Sequence, residues 1–269
     1  MPQAPEIAHC KQGNGHPALA AVVSIIIPVK DEAAGIQRLA EEVSAVMDRE
    51  NLEWEAIWVD DGSTDASLRA IKRLNEQDPR HRYLSFKKNA GQSAGLWAGF
   101  QSARGDIIAT IDGDGQNDPA DIPRLAAIIS AGEADMVNGY REKRSDNWIR
   151  KAASRIANSF RNRMTGKTVR DVGCSTRAFR SECADCLPQF KGMHRFLPTL
   201  VRMQGYRLQE VPVNHRKREH GRTKYTINNR LWVGLFDTFG VFWLKHRGFS
   251  YQIQARSDHH PETREGRNK

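Results

Sequence analysis

Hydrophobic residues follow two alternating textures along the first half of the chain. Short apolar runs, rich in β-branched residues, occupy Val22–Val29, Trp54–Asp61, Arg82–Lys87 and Asp106–Ile111. Between them, apolar positions recur every three or four residues. Ala33–Arg49 carries Ile36, Leu39, Val43, Val46 and Met47, Asp65–Asp78 carries Leu68, Ile71 and Leu74, and a third such stretch runs from about Ala90 to Ala103. These spacings predict helices between strands. One more helix, Pro119–Ser130, and one more strand, Asp135–Asn138, extend the series. Strands that are apolar throughout, with no in–out alternation, must be covered on both faces, which a parallel sheet wrapped by helices achieves. The expected fold class is α/β, a doubly wound and mostly parallel sheet flanked by helices.

After Tyr140 the pattern loosens and turns basic. Residues 141–170 hold ten lysines and arginines against two acids, and Trp148, Ile156 and Phe160 keep a helix-compatible spacing through them. A mixed stretch leads to Lys224. The segment 227–250 then reads as a helix with Trp232, Phe236, Phe239 and Trp243 at i, i+4, i+7 and i+11. Such a stripe either packs on the protein's own core or an oligomer, or lies in a lipid headgroup layer flanked by Arg230, Lys245 and Arg247. The expected organisation is a domain over 21–226, split into halves 21–140 and 141–226, with disordered tails at 1–20 and 251–269.

The chain's 269 residues suffice for a sizeable core. Hydrophobic residues at 39% and charged residues at 27% fit a globular rather than a disordered chain. Four cysteines are too few for a disulfide scaffold, and the Cys183–Cys186 pair lacks the further ligands of a zinc site. Ala18–Val29 runs directly into Lys30-Asp31-Glu32 and reads as a buried strand, not a leader. Leu231–Leu244 carries Asp237 and is too short to span a bilayer. A formal charge of +9 calls for an anionic partner: nucleic acid, a phosphorylated substrate or a membrane surface. No nucleic-acid-binding module is present, and that reading leaves Asp60, Asp112 and Asp114 without a purpose.

Open α/β sheets bind ligands beyond the carboxyl ends of their strands. Four polar loops leave those ends: Pro28-Val29-Lys30-Asp31-Glu32, Asp60-Asp61-Gly62-Ser63-Thr64-Asp65, Asn89-Ala90-Gly91-Gln92-Ser93, and Asp112-Gly113-Asp114-Gly115-Gln116-Asn117-Asp118-Pro119. In the last, two carboxylates one glycine apart, with Gln116 beyond, offer hard oxygen donors suited to Mg²⁺ or Mn²⁺. Aspartate and glycine also favour plain turns. Their position after the fourth strand, two strands on from Asp60-Asp61, favours the metal. Neither a P-loop nor a GxGxxG follows the first strand.

Together with Asp171-Val172-Gly173-Cys174-Ser175-Thr176-Arg177 and Arg218-Glu219-His220-Gly221-Arg222-Thr223-Lys224-Tyr225, these loops resemble the family 2 inverting glycosyltransferases of the GT-A fold. The resemblance covers about residues 22–250. Within that family they are similar to the branch of dolichol-phosphate mannosyltransferases and bacterial polyprenyl-phosphate glycosyltransferases. The resemblance implies that Pro28, Val29, Glu32 and Asp60 hold the nucleotide of a nucleotide sugar. It further implies that Asp112, Asp114 and Gln116 ligate Mg²⁺ or Mn²⁺ on the diphosphate, and that Arg218 and Lys224 close over it. Arg141, Arg150, Ser154 and Arg177 match positions near an acceptor phosphate. Thr223 stands where a serine is common, and many bacterial members continue into transmembrane helices where this sequence runs into a polar tail.

The activity implied is transfer of a sugar from GDP-mannose, UDP-glucose or a UDP-N-acetylhexosamine to a polyprenyl (undecaprenyl or dolichyl) phosphate. The enzyme would sit peripherally on the cytoplasmic face of an anionic membrane, aided by a membrane-embedded partner protein. A phosphate acceptor is already ionised near neutral pH and needs no general base. The alternative is transfer to a sugar hydroxyl of a cell-surface glycan or glycolipid, which requires a carboxylate base, and the 171–215 stretch has no Glu-Asp pair that would mark one.

Overall fold

The computed structural model describes residues 22–142, 164, 166, 169–216 and 227–247. The expected tails at 1–20 and 251–269 lie outside these residues. The first half runs β1 (Val23–Val29), α1 (Ala33–Arg49), β2 (Trp54–Asp60), α2 (Ser67–Gln77), β3 (His81–Ser85), α3 (Gln92–Ser102) and β4 (Ile107–Thr110). It continues through α4 (Ile122–Ser130) into β5 (Met136–Arg141). The second half adds β6 (Arg177–Arg180), α5 (Ser181–Asp185), α6 (Leu197–Met203), β7 (Leu208–Val213) and α7 (Ile227–Arg247).

The seven strands form one sheet in the order β3-β2-β1-β4-β6-β5-β7. β1 pairs in parallel with β2 and β4, and β2 with β3. Side chains alternate between two apolar layers, as the two-residue period of a strand dictates. Ile25 and Ile27 meet Ile36, Val43 and Leu125 of α1 and α4, whereas Ile26 meets Leu96 and Phe100 of α3 on the other face. Both faces are therefore dry, and the run Val23–Val29 carries no polar side chain but Ser24.

The structure departs from the sequence expectation in identifiable places. β6 runs antiparallel between β4 and β5, so the sheet is mixed at that side. Its four residues, Arg177-Ala178-Phe179-Arg180, are too few to show a period in the sequence. α3 begins at Gln92 rather than near Ala90 because the Asp61 carboxylate takes the amides of Ala90 (2.6 Å) and Gly91 (2.9 Å) before a helix can start. α2 begins at Ser67 rather than Asp65, whose side chain accepts from the amides of Ala33 and Ser67 and so ties α1 to α2.

α7 turns its aromatic stripe outward: Phe236, Phe239 and Trp243 are 81%, 51% and 60% exposed. The face it seats on the protein carries Thr238 and Val241, both buried. Asp237 joins them through an ion pair with Arg195 (3.8 Å), and Gly192 leaves the space its carboxylate occupies. The Trp232 side chain lies outside the described residues. No helix among the described residues is long and apolar enough to cross a membrane.

At the sheet edge where β1 and β2 begin, Glu55 is buried and accepts hydrogen bonds from Ser24 Oγ (2.7 Å), the Arg104 amide (2.7 Å) and Arg82 Nη1. Burial alone would raise its pKa, but these donors hold it below the ordinary 4.5. A depressed carboxylate stabilises the fold above its unfolded pKa, and the gain is lost as pH falls through the folded value. Glu55→Gln is therefore expected to lower stability at pH 7 by about 1.5–3 kcal/mol. In urea unfolding at stepwise lower pH, the gap to the wild type should shrink below about pH 4.5.

Candidate active site

The parallel strands end at one edge, and because β6 is antiparallel its first residue, Arg177, lies there too. That topology gathers the loops after β1, β2, β3, β4, β5 and β7 and the approach to β6. The loop after β4 packs against β1, with the Gly113 amide donating to the Pro28 carbonyl at 3.3 Å. A Cβ on Gly113 would sit 2.9 Å from Val29 Cγ2, so this approach requires glycine. Val29 is buried and Pro28 half-buried, and together they form an apolar wall beside the acidic loop.

Asp112, Asp114 and Gln116 are each half-exposed. Asp112 Oδ1 accepts from Gln92 Nε2 at 2.8 Å, and Asp114 Oδ1 from the Gln116 amide at 3.1 Å. Gln116 Nε2 lies 3.4 Å from both His215 Nε2 and the Arg216 carbonyl. Buried Asn117 clamps the loop, accepting the Asp112 amide (2.9 Å) and donating to Thr176 Oγ1 (2.7 Å). On the far side, a bridge between Asn117 and His215 fastens the segment after β7 to the same loop. Arg216 completes that attachment with Nη2 on Asp118 (2.8 Å) and Nη1 on Glu42 of α1. A depression beside it is lined by Glu32, Gly35, Arg38, Asp114 and Arg216.

The two other carboxylates expected at the site, Asp60 and Glu32, differ in their surroundings. Asp60 is 1% exposed; its Oδ1 accepts the Ser63 amide (3.0 Å) and Oδ2 the Ser85 hydroxyl (2.9 Å). It forms the floor of the crevice and fixes the turn after β2. The Glu32 amide donates to Ser67 Oγ (3.0 Å), leaving its side chain at the rim.

Two arginines expected near an acceptor phosphate are paired within the protein. Arg141 forms a two-pronged contact with Asp171, Nε to Oδ2 at 2.7 Å and Nη2 to Oδ1 at 3.0 Å. Arg177 is 4% exposed and donates to Asn138 Oδ1 (2.8 Å), the His194 carbonyl (2.8 Å) and the Val172 carbonyl (2.9 Å). Burial lowers the pKa of Arg177 from its ordinary value, against the opposing influence of Cys174, Asp112 and Asp171. In this structure all three of its side-chain nitrogens meet protein acceptors. Arg150, Ser154, Arg218 and Lys224 lie outside the described residues.

Gln92, Asn117, Asn138 and Arg216 carry no individual mark of a role in the sequence. Their importance comes from partners far away in the chain, and a single sequence carries no signal for that.

Chemically, the loop after β4 offers two carboxylates and a carboxamide at a half-exposed edge, each carboxylate oriented by a protein donor. Hard oxygen donors of this kind suit a divalent cation that also binds phosphate oxygens. Among the described residues no three His, Cys, Asp or Glu side chains close into a cage.

Residues 24–187 match the model of glycosyl transferase family 2. The chain belongs to that family. The dodecaprenyl-phosphate galacturonate synthase of Rhizobium johnstonii is 36% identical over 240 residues, covering 88% of this chain and 71% of that protein. The undecaprenyl-phosphate 4-deoxy-4-formamido-L-arabinose transferase of Edwardsiella ictaluri is 37% identical and covers 76% of this chain. The present chain spans only 63% of that relative's length. Among solved structures, glucosyl-3-phosphoglycerate synthase from Mycobacterium tuberculosis with Mn²⁺, uridine diphosphate and phosphoglyceric acid superposes with a TM-score of 0.62 at 19% identity. That superposition covers 90% of this chain and 87% of the other, and it shows the same fold. The chain is thus a family 2 glycosyltransferase of GT-A-like architecture.

Arg177 supplies a direct test of its assigned place in this glycosyltransferase. Lysine cannot span three acceptors in a fixed fork. Arg177→Lys is expected to cost about 2–4 kcal/mol of stability, the range for breaking a buried charged network. Calorimetric unfolding measures it, and an unchanged melting temperature would argue instead for an exposed, ligand-directed guanidinium.

Proposed function

We propose that this glycosyltransferase moves a sugar from a nucleotide sugar to a polyprenyl phosphate in a reaction that requires a divalent metal. The observation that carries the reading is the half-exposed pair Asp112 and Asp114 at the carboxyl edge of the sheet, in a chain whose relatives include two polyprenyl-phosphate enzymes. The solved fold neighbours hold Mn²⁺ or Mg²⁺ with uridine diphosphate, which agrees with a metal at this edge.

Pro28, Val29 and Glu32 would border the nucleotide, with Asp60 beneath it. Asp112, Asp114 and Gln116 would hold Mg²⁺ or Mn²⁺, and a bound ion supplies neutralisation of the charge that grows on the departing diphosphate. Arg218 and Lys224 would share that task, since fixed cations near a developing charge lower the barrier with no reorganisation during the step. Arg141, Arg150 and Ser154 are the residues assigned to the acceptor phosphate. An in-line attack inverts the anomeric carbon, so an α-linked donor gives a β-linked lipid phosphate.

Asp171 favours this acceptor over a sugar hydroxyl. Asp171 stands at this edge and is engaged by Arg141 through both oxygens and by the Gly173 amide. A carboxylate so stabilised as an anion is a poor general base, whereas a phosphate monoester attacks without one.

The acceptor implies a lipid surface. Phe236, Phe239 and Trp243 face outward on α7, and Lys245, His246 and Arg247 close its last turn. We assign this face to the cytoplasmic surface of an anionic membrane, where a membrane-embedded partner protein could also dock. Changing all three aromatics to serine is expected to weaken binding to vesicles containing anionic phospholipid by at least about tenfold. Wild-type sedimentation that is unaltered by the change would remove α7 from membrane contact.

The decisive assay supplies Mn²⁺ or Mg²⁺, a short polyprenyl phosphate and a panel of radiolabelled nucleotide sugars. Label should enter the organic phase from one donor, and chelation should abolish it. Asp114→Asn should fold normally and lose about 100-fold or more in turnover. Donor hydrolysis without lipid product would overturn the acceptor assignment.

A further inference from the structure

α3 has no side-chain cap at its N-terminus, where Gly91 occupies the capping position. A helix start without a cap is held by whatever else grips its first turn. Two ties do so. Asp61 takes the amides of Ala90 and Gly91 from below. From the side, buried Ser93 reaches across 101 residues of sequence to His194, Oγ to Nδ1 at 2.7 Å, while accepting the Gly192 amide at 2.9 Å. The hydroxyl of Ser93 thus fastens α3 to the 3₁₀ turn Met193–Arg195.

Both neighbours of this tie act on one carboxylate. Gln92, adjacent to Ser93, donates Nε2 to Asp112 Oδ1 at 2.8 Å. The His194 carbonyl accepts from Arg177 Nη1 at 2.8 Å, and the buried charge of Arg177 acts on Asp112. His194 therefore grips the base of the neutral donor that orients Asp112 and the cation that lies near it. It does so with two different atoms.

We propose that His194 and Ser93 form a positioning pair that sets the orientation of Asp112 through Gln92, and thereby the affinity of the site for its divalent cation. The inference rests on the reading of Asp112 as a metal-side carboxylate. Neither residue of the pair needs to touch the ion. Its contribution is indirect: with the tie broken, the first turn of α3 shifts and the Gln92 amide loses its register on Oδ1. Groups that orient a metal ligand typically matter 10–100-fold in affinity, as a general estimate.

The test is titration of the full chain with Mn²⁺ alone, following loss of the free-ion electron paramagnetic resonance signal. Ser93→Ala and His194→Ala are each expected to raise the Mn²⁺ dissociation constant about tenfold. Ser93→Ala removes a single oxygen and places a strong helix former in α3, so it serves if the histidine variant does not fold. Rescue distinguishes positioning from mere packing. The side-chain amide of His194→Asn reaches where Nδ1 stood and should restore affinity to within about threefold, whereas His194→Gln, which reaches the Nε2 position, should not. In a double-mutant cycle, adding His194→Ala to Gln92→Ala should weaken binding little further, because both act through one contact.

Unaltered affinity in Ser93→Ala and His194→Ala, rescue by glutamine but not asparagine, or strict additivity with Gln92→Ala would each overturn the proposal. If Asp112→Asn abolishes Mn²⁺ binding while the pair has no influence, this inference alone fails. If the wild type binds no Mn²⁺, the metal assignment fails with it.

Discussion

Arg177 is a cation almost wholly withdrawn from water, and the acidic edge of the sheet is organised around it. A guanidinium cannot shed its proton to escape burial, so its donors must be met by oriented acceptors. Asn138 from β5, Val172 from the loop before β6 and His194 from the 3₁₀ turn meet them. Three segments that are distant in sequence are thereby drawn to one point. The charge they surround offsets the accumulation of carboxylates that parallel strand ends produce, Asp112 and Asp171 in particular. The antiparallel insertion of β6 makes this possible, because it brings the first residue of that strand, rather than its last, to the functional edge.

Around that cation the carboxylates divide by the kind of donor they meet. Asp60 and Asp61 accept from backbone amides and a serine hydroxyl and are buried, and in return they fix the turns that follow β2 and β3. Asp171 meets Arg141 and becomes a strut. Asp112 and Asp114 are only partly withdrawn from water. Burial with full hydrogen bonding makes a structural group, whereas partial exposure leaves a carboxylate within reach of solvent, as the proposed metal role requires. The same residue type thus performs both duties within one crevice, and the distinction arises from local donors rather than from the motif.

How far this was legible in the sequence follows from the range of each signal. β1, α1, β2 and the order of strands and helices through β5 are written in local periodicity, and the bounds of α1 agree to the residue. The starts of α2 and α3 were misplaced by two residues each because Asp65 and Asp61 act across loops, which periodicity does not register. β6 and its direction were invisible, since four residues flanked by arginines carry no period. At the site, the Asp112–Gln116 loop was legible because its chemistry is contiguous. Arg177 was not, because a basic residue near an expected phosphate looks the same in sequence whether it faces the ligand or the interior. Ser93 stands at the end of a polar loop that the sequence displays, but its pairing with His194, 101 residues away, leaves no mark there.

The outward aromatic face of α7 is the feature on which the proposed lipid acceptor makes its largest structural demand. Three large aromatics exposed on a single helix face are costly in water unless something covers them. The opposite face binds to the protein by a different means, with Thr238 and Val241 packed inside and Asp237 set against Arg195 of the 3₁₀ turn. One oxygen of Asp237 finds no hydrogen-bond donor among the described residues, and burial raises its pKa from the ordinary value. A polar contact left so imperfect contributes little stability by itself; its effect is to set which way the helix faces. A helix held in a fixed rotation presents its aromatics to one surface only. Because its seat is the turn that carries His194 and accepts Arg177, the direction of that surface is fixed relative to Asp112 and Asp114. Under the proposed pairing of a water-borne donor with a lipid-anchored acceptor, that fixed relation is what would bring the two substrates to one edge.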